Sequence, residues 1–105
     1  MNEQKLLGML GMAARAGCVE SGGDACREAI RQRKAYLLLI GADLSPGQRE
    51  RLQRLCGEEN VPQVVCTRED QLGRAIGRPG RMVVAITQKG FAERAMSLSK
   101  AGVAE

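Results

Sequence analysis

Residues 35–42 of the chain, AYLLLIGA, contain its longest uninterrupted apolar run, Ala35–Ile40. A run that is apolar at every position predicts a strand buried on both faces, whereas a half-exposed strand alternates apolar and polar residues. The run is far shorter than the ~20 apolar residues that a membrane span requires. We therefore expect the most buried strand of a sheet here, and no membrane partner.

Two other short runs, Val61–Cys66 and Met82–Thr87, are rich in valine, and helical segments lie between the runs. The helices carry apolar residues at helical spacing: Leu6, Met9, Leu10 and Ala13 in the first, Leu52, Leu55 and Cys56 in the third, and Phe91, Ala95, Met96 and Leu98 in the last. The predicted order is helix, short strand, helix, strand, helix, strand, helix, strand, helix. Because strands that are apolar on both faces pack under helices on both sides, we predict one α/β domain over residues 1–105. Its fold is a three-layer α/β/α sandwich with a mainly parallel, mixed four-stranded sheet.

The predicted helix starts share a pattern, a hydroxyl residue three positions before an acid or an amide. Ser21, Ser45 and Thr67 each occupy that position. Pro46 strengthens the second case, because proline is favoured in the first turn of a helix. Thr87 is a candidate cap for the last helix.

The charge balance favours an anionic partner. Sixteen basic and 12 acidic residues give a net charge of +4, and 12 of the 16 basic residues are arginine. The planar guanidinium group of arginine suits phosphate better than the point charge of lysine does. Aromatic residues are limited to Tyr36 and Phe91, which argues against a single-strand binder that stacks bases on aromatic rings. Any RNA should therefore be recognised by its shape and backbone.

The four cysteines, Cys18, Cys26, Cys56 and Cys66, are scattered, and the chain has no histidine. Structural zinc sites use tightly paired ligands, so we interpret these cysteines as free thiols and expect neither a metal nor a cofactor. The first residues lack the basic start and apolar stretch of a signal peptide. We expect a cytoplasmic protein that is monomeric when free.

Three segments are candidates for ligand contact. Gly73–Gly80 has the wrong spacing and the wrong flanking elements for a P-loop or a dinucleotide fingerprint. It is compatible both with a helix end and turn and with a loop that approaches a ligand backbone, flanked by Arg74, Arg78 and Arg81. Ser21–Asp24 opens a helix, and its exposed amides favour phosphate, although an ordinary cap explains it as well. The basic residues of that helix and its end are Arg27, Arg31, Arg33 and Lys34.

The third segment, Asp43–Pro46, follows the most buried strand, and ligands of open α/β sheets gather at the carboxyl ends of strands. An enzymatic function at this strand end is therefore one possibility. Catalysis requires paired carboxylates or a nucleophile within reach of a base. The sequence shows neither arrangement, and Ser45 is already explained as a cap, so we expect no enzymatic activity.

Several segments together carry a resemblance to a known family. They are Leu10–Gly17 with Val19, Ser21, Gly22 and Asp24, then Leu38–Pro46, Leu55–Cys56, Asn60–Pro62, Leu72–Gly77, Val83–Thr87 and Gly90–Ala92. In them the chain resembles the bacterial YlxQ-like proteins of the kink-turn-binding superfamily of ribosomal proteins seven-Ae and thirty-e. The most specific parts are Leu72–Gly77 and the strand that ends in Asp43-x-x-Pro46.

The resemblance implies the same α/β/α sandwich and an RNA-binding surface made of three elements. These are the start of the second helix, the loop after the second strand and the loop before the last strand. The RNA-binding residues implied are Gly22, Gly23, Asp24, Arg27, Glu28, Arg31, Lys34, Asp43, Ser45, Arg78, Arg81 and Met82. The implied partner is structured RNA, either ribosomal RNA or another RNA that contains a kink-turn.

Three residues of the second predicted helix depart from the family pattern. Strong kink-turn binders carry asparagine, glutamate and lysine where this chain has Asp24, Ala25 and Glu28. A good bidentate base contact is worth about 1–3 kcal/mol, so these changes should weaken base recognition and leave backbone contacts to the arginines. Two alternatives to RNA binding remain open. One is a protein–protein adaptor that keeps the fold without tight RNA binding, and the other is a small-ligand or enzymatic domain that uses the strand ends near Asp43.

Overall fold

The computed structural model of the chain describes residues 2–100. Within them the helices and strands follow one another in the predicted order. They are α1 (Glu3–Arg15), β1 (Val19–Ser21), α2 (Gly23–Arg31), β2 (Leu37–Gly41), α3 (Pro46–Glu59), β3 (Gln63–Cys66), α4 (Gln71–Ala75), β4 (Val83–Ile86) and α5 (Lys89–Lys100). In this part of the chain no helix combines the length and the apolar character needed to cross a membrane.

The four strands form one mixed sheet in the order β1-β4-β2-β3. β2 and β3 are parallel, whereas β4 is antiparallel to both β1 and β2. The α/β class and the mixed sheet are confirmed, but fewer of the strand pairs are parallel than predicted. The five residues of α4 rise only about 7.5 Å, whereas a four-residue strand such as β3 is about 13 Å long. The chain therefore does not return to the far edge of the sheet, and β4 begins where β3 ends.

Both faces of the sheet are covered by helices. Successive side chains of β2 and β4 point to opposite faces, so each strand contributes to two cores. Leu37, Leu39, Val84 and Ile86 pack in a core with α1, α4 and α5. Leu38, Ile40, Val83 and Ala85 pack in a second core with α2 and α3. The predicted helix faces point into these cores: Leu6, Met9, Leu10, Ala13, Leu52, Cys56 and Ala95 are buried, and Leu55, Phe91, Met96 and Leu98 are half-buried. The three layers are those predicted.

Two helix starts test the predicted caps directly. Ser45 caps α3 as predicted, since its Oγ accepts a hydrogen bond from the amide of Gln48 at 3.4 Å. Thr87 does not cap α5. The Oε1 atom of Gln88 accepts from the amide of Phe91 at 2.8 Å instead, so the cap lies one residue later than predicted.

The two remaining predicted caps are wrong. The residue that caps α2 is Gly22 rather than Ser21, and it makes no side-chain hydrogen bond to the helix. Thr67 is buried, and α4 starts only at Gln71, after Asp70 in a left-handed conformation. At both places the backbone takes positive φ values, a feature that the spacing of hydroxyl and acidic residues does not reveal.

Three of the four free cysteines, Cys26, Cys56 and Cys66, are buried, whereas Cys18 is partly exposed. Burial raises the pKa of Cys26 from its ordinary value of 9.0 to about 12. It raises the pKa of Cys56 and of Cys66 to about 11, because an apolar interior disfavours the charged thiolate. The thiolate is the reactive form, so these three thiols should be inert in the folded protein.

We expect an aromatic disulfide reagent at neutral pH to modify Cys18 rapidly and the three buried thiols only after unfolding, measured by release of the coloured thiolate. Cys18→Ser should remove the fast phase, and a second fast-reacting thiol would contradict the burial.

The buried thiols should also make stability depend on pH. Below pH 9.0 they stay protonated in both the folded and the unfolded chain. Above it only the unfolded chain ionises them, so the free energy of unfolding should fall between about pH 9 and 12.

Candidate nucleic-acid interface

The three segments implicated by the sequence meet at one edge of the sheet. β1, β2 and β3 all end at this edge, and β4, antiparallel to β1 and β2, begins there. The amide of Gly22 donates to the carbonyl of Val83 at 2.9 Å, and the amide of Gly41 donates to the carbonyl of Met82 at 2.7 Å. The start of α2, the loop after β2 and the loop before β4 are therefore neighbours.

A cleft of about 230 Å³ opens between these segments. The residues that line it from the three segments are Gly22, Gly23, Arg27, Leu44, Gly80, Arg81 and Met82. The first amides of α2 have no side-chain cap, and free amides at a helix start attract anions. The cleft thus combines backbone donors with guanidinium groups, a combination suited to a phosphate group.

The backbone of Gly22 allows the close approach of α2 to the loop before β4. Its φ of 89° and ψ of 155° lie in a region that residues with a side chain almost never occupy. A Cβ atom there would lie 2.8 Å from Nη1 of Arg81. The backbone conformation therefore requires glycine at this position, and a Cβ atom would in addition displace the Arg81 guanidinium from its contact with Ser21.

Arg81 joins the loop before β4 to the β1–α2 turn. Its Nη1 donates to the carbonyl of Ser21 at 2.8 Å and lies 3.4 Å from Oγ of the same residue. Arg81 therefore positions the two sides of the cleft against each other. Arg81 also lines the cleft itself.

Asp43 also holds a loop in place. Its Oδ2 accepts a hydrogen bond from the amide of Glu69 at 2.9 Å. Thr67, Glu69 and Asp70 all have positive φ values between 45° and 61°, and such conformations cost on the order of 1–3 kcal/mol each unless the surroundings impose them. The carboxylate of Asp43 is one contact that imposes this turn, so it is occupied within the chain.

The loop before β4 closes tightly over α4. Its Gly80 amide donates to both carboxylate oxygens of Asp70, at 2.9 and 3.1 Å. A Cβ atom on Gly73 would lie 2.6 Å from the carbonyl oxygen of Arg78 and 2.9 Å from that of Arg81. Gly73 therefore fixes the path of the loop that carries these two arginines.

The remaining candidates are scattered over several places on the surface. Asp24 is fully exposed and forms an ion pair with Arg27. Glu28 and Lys34 lie away from the cleft, in a depression that they share with Glu20. Arg31, Arg78 and Ser45 are exposed at other points: Arg31 lines a groove between α2 and α3, Arg78 lies in the loop before β4, and Ser45 caps α3.

The sequence did not place Gln48 or Asp70 at this edge, and it did not reveal the contact made by Gly80. Gln48 lines the cleft from α3, although its position three residues after Ser45 indicated only a cap. Asp70 and Gly80 hold the loop before β4, and no local pattern links residues ten positions apart. Among the described residues, no three cysteine, aspartate or glutamate side chains are grouped as they would have to be to hold a metal ion.

Comparison with known proteins finds one matching family and two similar RNA-binding proteins. The ribosomal protein L7Ae/L30e/S12e/Gadd45 family matches residues 4–96. The RNA-binding protein YlxQ of Bacillus subtilis (strain 168) is 38% identical over 90 residues, which cover 86% of this chain and 90% of that protein. The RNA-binding protein YlxQ of Enterococcus faecium is 29% identical over 97 residues, which cover 92% and 93% of the two chains.

Solved structures have the same fold. A Bacillus halodurans C protein described as having unknown function superposes with a TM-score of 0.88 at 29% identity, covering 91% of this chain and 97% of its own. The Giardia lamblia 15.5kD RNA binding protein superposes with a TM-score of 0.80 at 24% identity, covering 94% and 88%. The resemblance to a YlxQ-like member of the superfamily, first seen in the sequence, is confirmed.

We expect Gly22→Ala to lower the free energy of unfolding by about 1–3 kcal/mol, because alanine is strained at this φ and ψ. Gly57→Ala is the matched control, since Gly57 lies inside α3 with open space at its Cβ position. That substitution should raise stability by roughly 0.5–1 kcal/mol. Urea unfolding of the two variants measures both effects. Equal shifts in the same direction would refute the requirement for glycine at position 22.

Proposed function

The chain belongs to the ribosomal protein L7Ae/L30e/S12e/Gadd45 family, and from that premise we propose that it is a single, non-enzymatic domain that binds structured RNA at the sheet edge around Gly22. The proposed partner is ribosomal RNA or another RNA with a kink-turn, and the proposed binding form is a cytoplasmic monomer. Two relatives are named RNA-binding proteins, which supports this assignment.

The convergence of the three loop segments on one cleft is the observation that carries the proposal. Hydrogen bonds from Gly22 to Val83 and from Gly41 to Met82 bring these segments, which are distant in sequence, together at the start of β4. A sharply bent duplex presents two backbones at its bend, and a concave edge with basic walls fits that shape. Arg27 and Arg81 line the walls of the cleft.

The chemistry of the edge favours contacts to the RNA backbone over base stacking. Tyr36, which is 47% exposed, precedes β2 and therefore lies at the opposite edge of the sheet. Phe91 is half-buried and packs against the core with α1 and α5. Neither aromatic ring is placed to stack on a base in the cleft, so arginine and backbone amides supply the recognition.

Base-specific recognition is weakened at the start of α2. The carboxylate of Asp24 pairs with Arg27, so it neutralises part of the charge that would attract phosphate. Ala25 offers no hydrogen-bond acceptor to a base, and Glu28 places a negative charge on the same helix, in a depression with Glu20 and Lys34. We propose that the protein binds a kink-turn through its shape, with lower affinity than family members that carry asparagine, glutamate and lysine at these positions.

The first test neutralises an exposed arginine of the loop before β4. Arg78→Gln should weaken binding to a kink-turn duplex and reduce the slope of log K against log salt concentration by roughly 0.7–0.9, the value for one lost phosphate contact. Arg94→Gln removes the same charge from α5, in the opposite helix layer, and should leave the slope unchanged. A common slope for both variants would mean that this loop does not contact the RNA backbone.

The second test restores the family pattern. Asp24→Asn, Ala25→Glu and Glu28→Lys together should tighten binding to a kink-turn duplex by at least about tenfold, or ~1.4 kcal/mol. A straight duplex of equal length is the control and should gain much less, because contacts to base edges require the bent geometry. Equal gains in affinity for both RNAs would mean that the substitutions act only by adding positive charge. No gain for either RNA would favour a protein–protein adaptor.

A further inference from the structure

A second basic surface lies beside the cleft, in a groove of about 480 Å³ between α2 and α3. Both helices begin at the same sheet edge, because each follows a strand that ends there. The groove is lined by Arg27, Arg31, Gln48, Arg51, Arg54, Leu55 and Glu58. Arg27 and Gln48 also line the cleft, so the two depressions are continuous.

Charge is sorted between the faces of these helices. α2 and α3 together contain five arginines and five acidic residues, so as a pair they carry no formal net charge. The groove between them nevertheless receives four of the arginines and one of the acids, Glu58. Of the other acids, Glu59 lies 4.0 Å from Arg33 in an ion pair, and Glu28 faces the depression near Glu20. The groove is therefore locally basic on helices that are neutral overall.

Most of the groove arginines are not neutralised within the chain. Arg27 pairs with Asp24. Arg31, Arg51 and Arg54 are exposed, and across residues 2–99 none of them forms an ion pair or a side-chain hydrogen bond. Guanidinium groups in that state attract an anion without first giving up an internal partner. Three such groups in one groove specify a polyanion.

The spacing of the arginines follows the helix surfaces. Arg27 and Arg31 are one turn apart on α2, and Arg51 and Arg54 are neighbours on α3, since residues three or four apart lie on the same helix face. Leu55 is the only large apolar side chain that lines the groove. A bound peptide would require pockets for apolar side chains, whereas a phosphodiester backbone requires only a row of cationic groups.

We propose that the α2–α3 groove binds the phosphate backbone of one arm of the RNA, the arm that leaves the cleft along Arg27 and Gln48. This inference rests on the proposed function and extends the bound surface to Arg31, Arg51 and Arg54 on the helices. The groove fixes the direction in which the RNA leaves the bend. Glu58, at the far end of α3, opposes the same backbone and limits the affinity.

The test compares two pairs of neutralised arginines. Arg51→Gln with Arg54→Gln should weaken binding of a kink-turn duplex roughly three- to tenfold and lower the salt slope by about 1.4–1.8, two phosphate contacts. Arg15→Gln with Arg94→Gln changes the net charge equally on α1 and α5, in the opposite layer, and should change neither quantity. Arginine and glutamine have similar helix propensities, so all four substitutions should leave urea unfolding unaltered. Glu58→Gln should act in the opposite direction and tighten binding.

Shortening the arms of the duplex in turn locates the contact. With one arm cut to about three base pairs, the Arg51 and Arg54 pair should lose its effect, while cutting the other arm should leave that effect intact. An unchanged affinity in the Arg51 and Arg54 pair, alongside a weakened Arg78→Gln variant, overturns the groove contact and leaves the proposed function standing. Absence of RNA binding by the unaltered protein overturns both. An effect that persists with either arm shortened also overturns the assignment to one arm.

Discussion

The first residues of β4 are held between the ends of β1 and β2 by two backbone hydrogen bonds, from Gly22 to Val83 and from Gly41 to Met82. This pairing fixes where the chain returns to the sheet after β3, and so it brings the loop before β4 beside the start of α2. Both donors are glycines with little free space. A Cβ atom on Gly41 would lie 3.1 Å from the Met82 carbonyl oxygen, as Gly22 would meet Arg81. A side chain at either position would press against the segment before β4, so the two glycines favour this close approach.

Several polar residues at this edge act on the chain itself rather than toward solvent. Asp43 holds the turn at Glu69, Asp70 holds Gly80, and Arg81 holds Ser21. Each of these contacts joins two loops that are far apart in sequence, so the edge is preorganised before any partner arrives. Preorganisation reduces the entropy that is lost on binding. The groups that stay available, the free amides of α2 and the exposed guanidinium of Arg78, are donors and cations, which defines the chemistry of the partner as anionic.

The sequence predicted the order of the elements and their buried faces, because apolar residues at fixed periods report burial directly. It overestimated parallel pairing, since an apolar pattern such as that of β2, which is buried on both faces, looks the same in either strand direction. Three caps were misplaced for a different reason. The turns before α2 and α4 use positive φ at Gly22 and Asp70, and in α5 the glutamine Gln88 caps where a hydroxyl was expected. The three candidate segments follow from a resemblance and from strand ends. The internal roles of Asp43 and Arg81 depend on contacts 26 and 60 residues away in sequence, which no local pattern reveals.

The placement of charge on α2 and α3 explains how one surface can lose base-reading side chains and still attract RNA. At the first turn of α2, Asp24 lies three residues before Arg27 and pairs with it, so the strongest potential is moved away from the bases at the bend. The free guanidinium groups lie further along the helices, at Arg31, Arg51 and Arg54, where a duplex presents only backbone. Phosphate contacts set the position and direction of a nucleic acid, whereas contacts to base edges set its sequence. In the proposed binding mode, a surface with this distribution of charge would select RNA by the angle between its arms more than by the sequence at the bend.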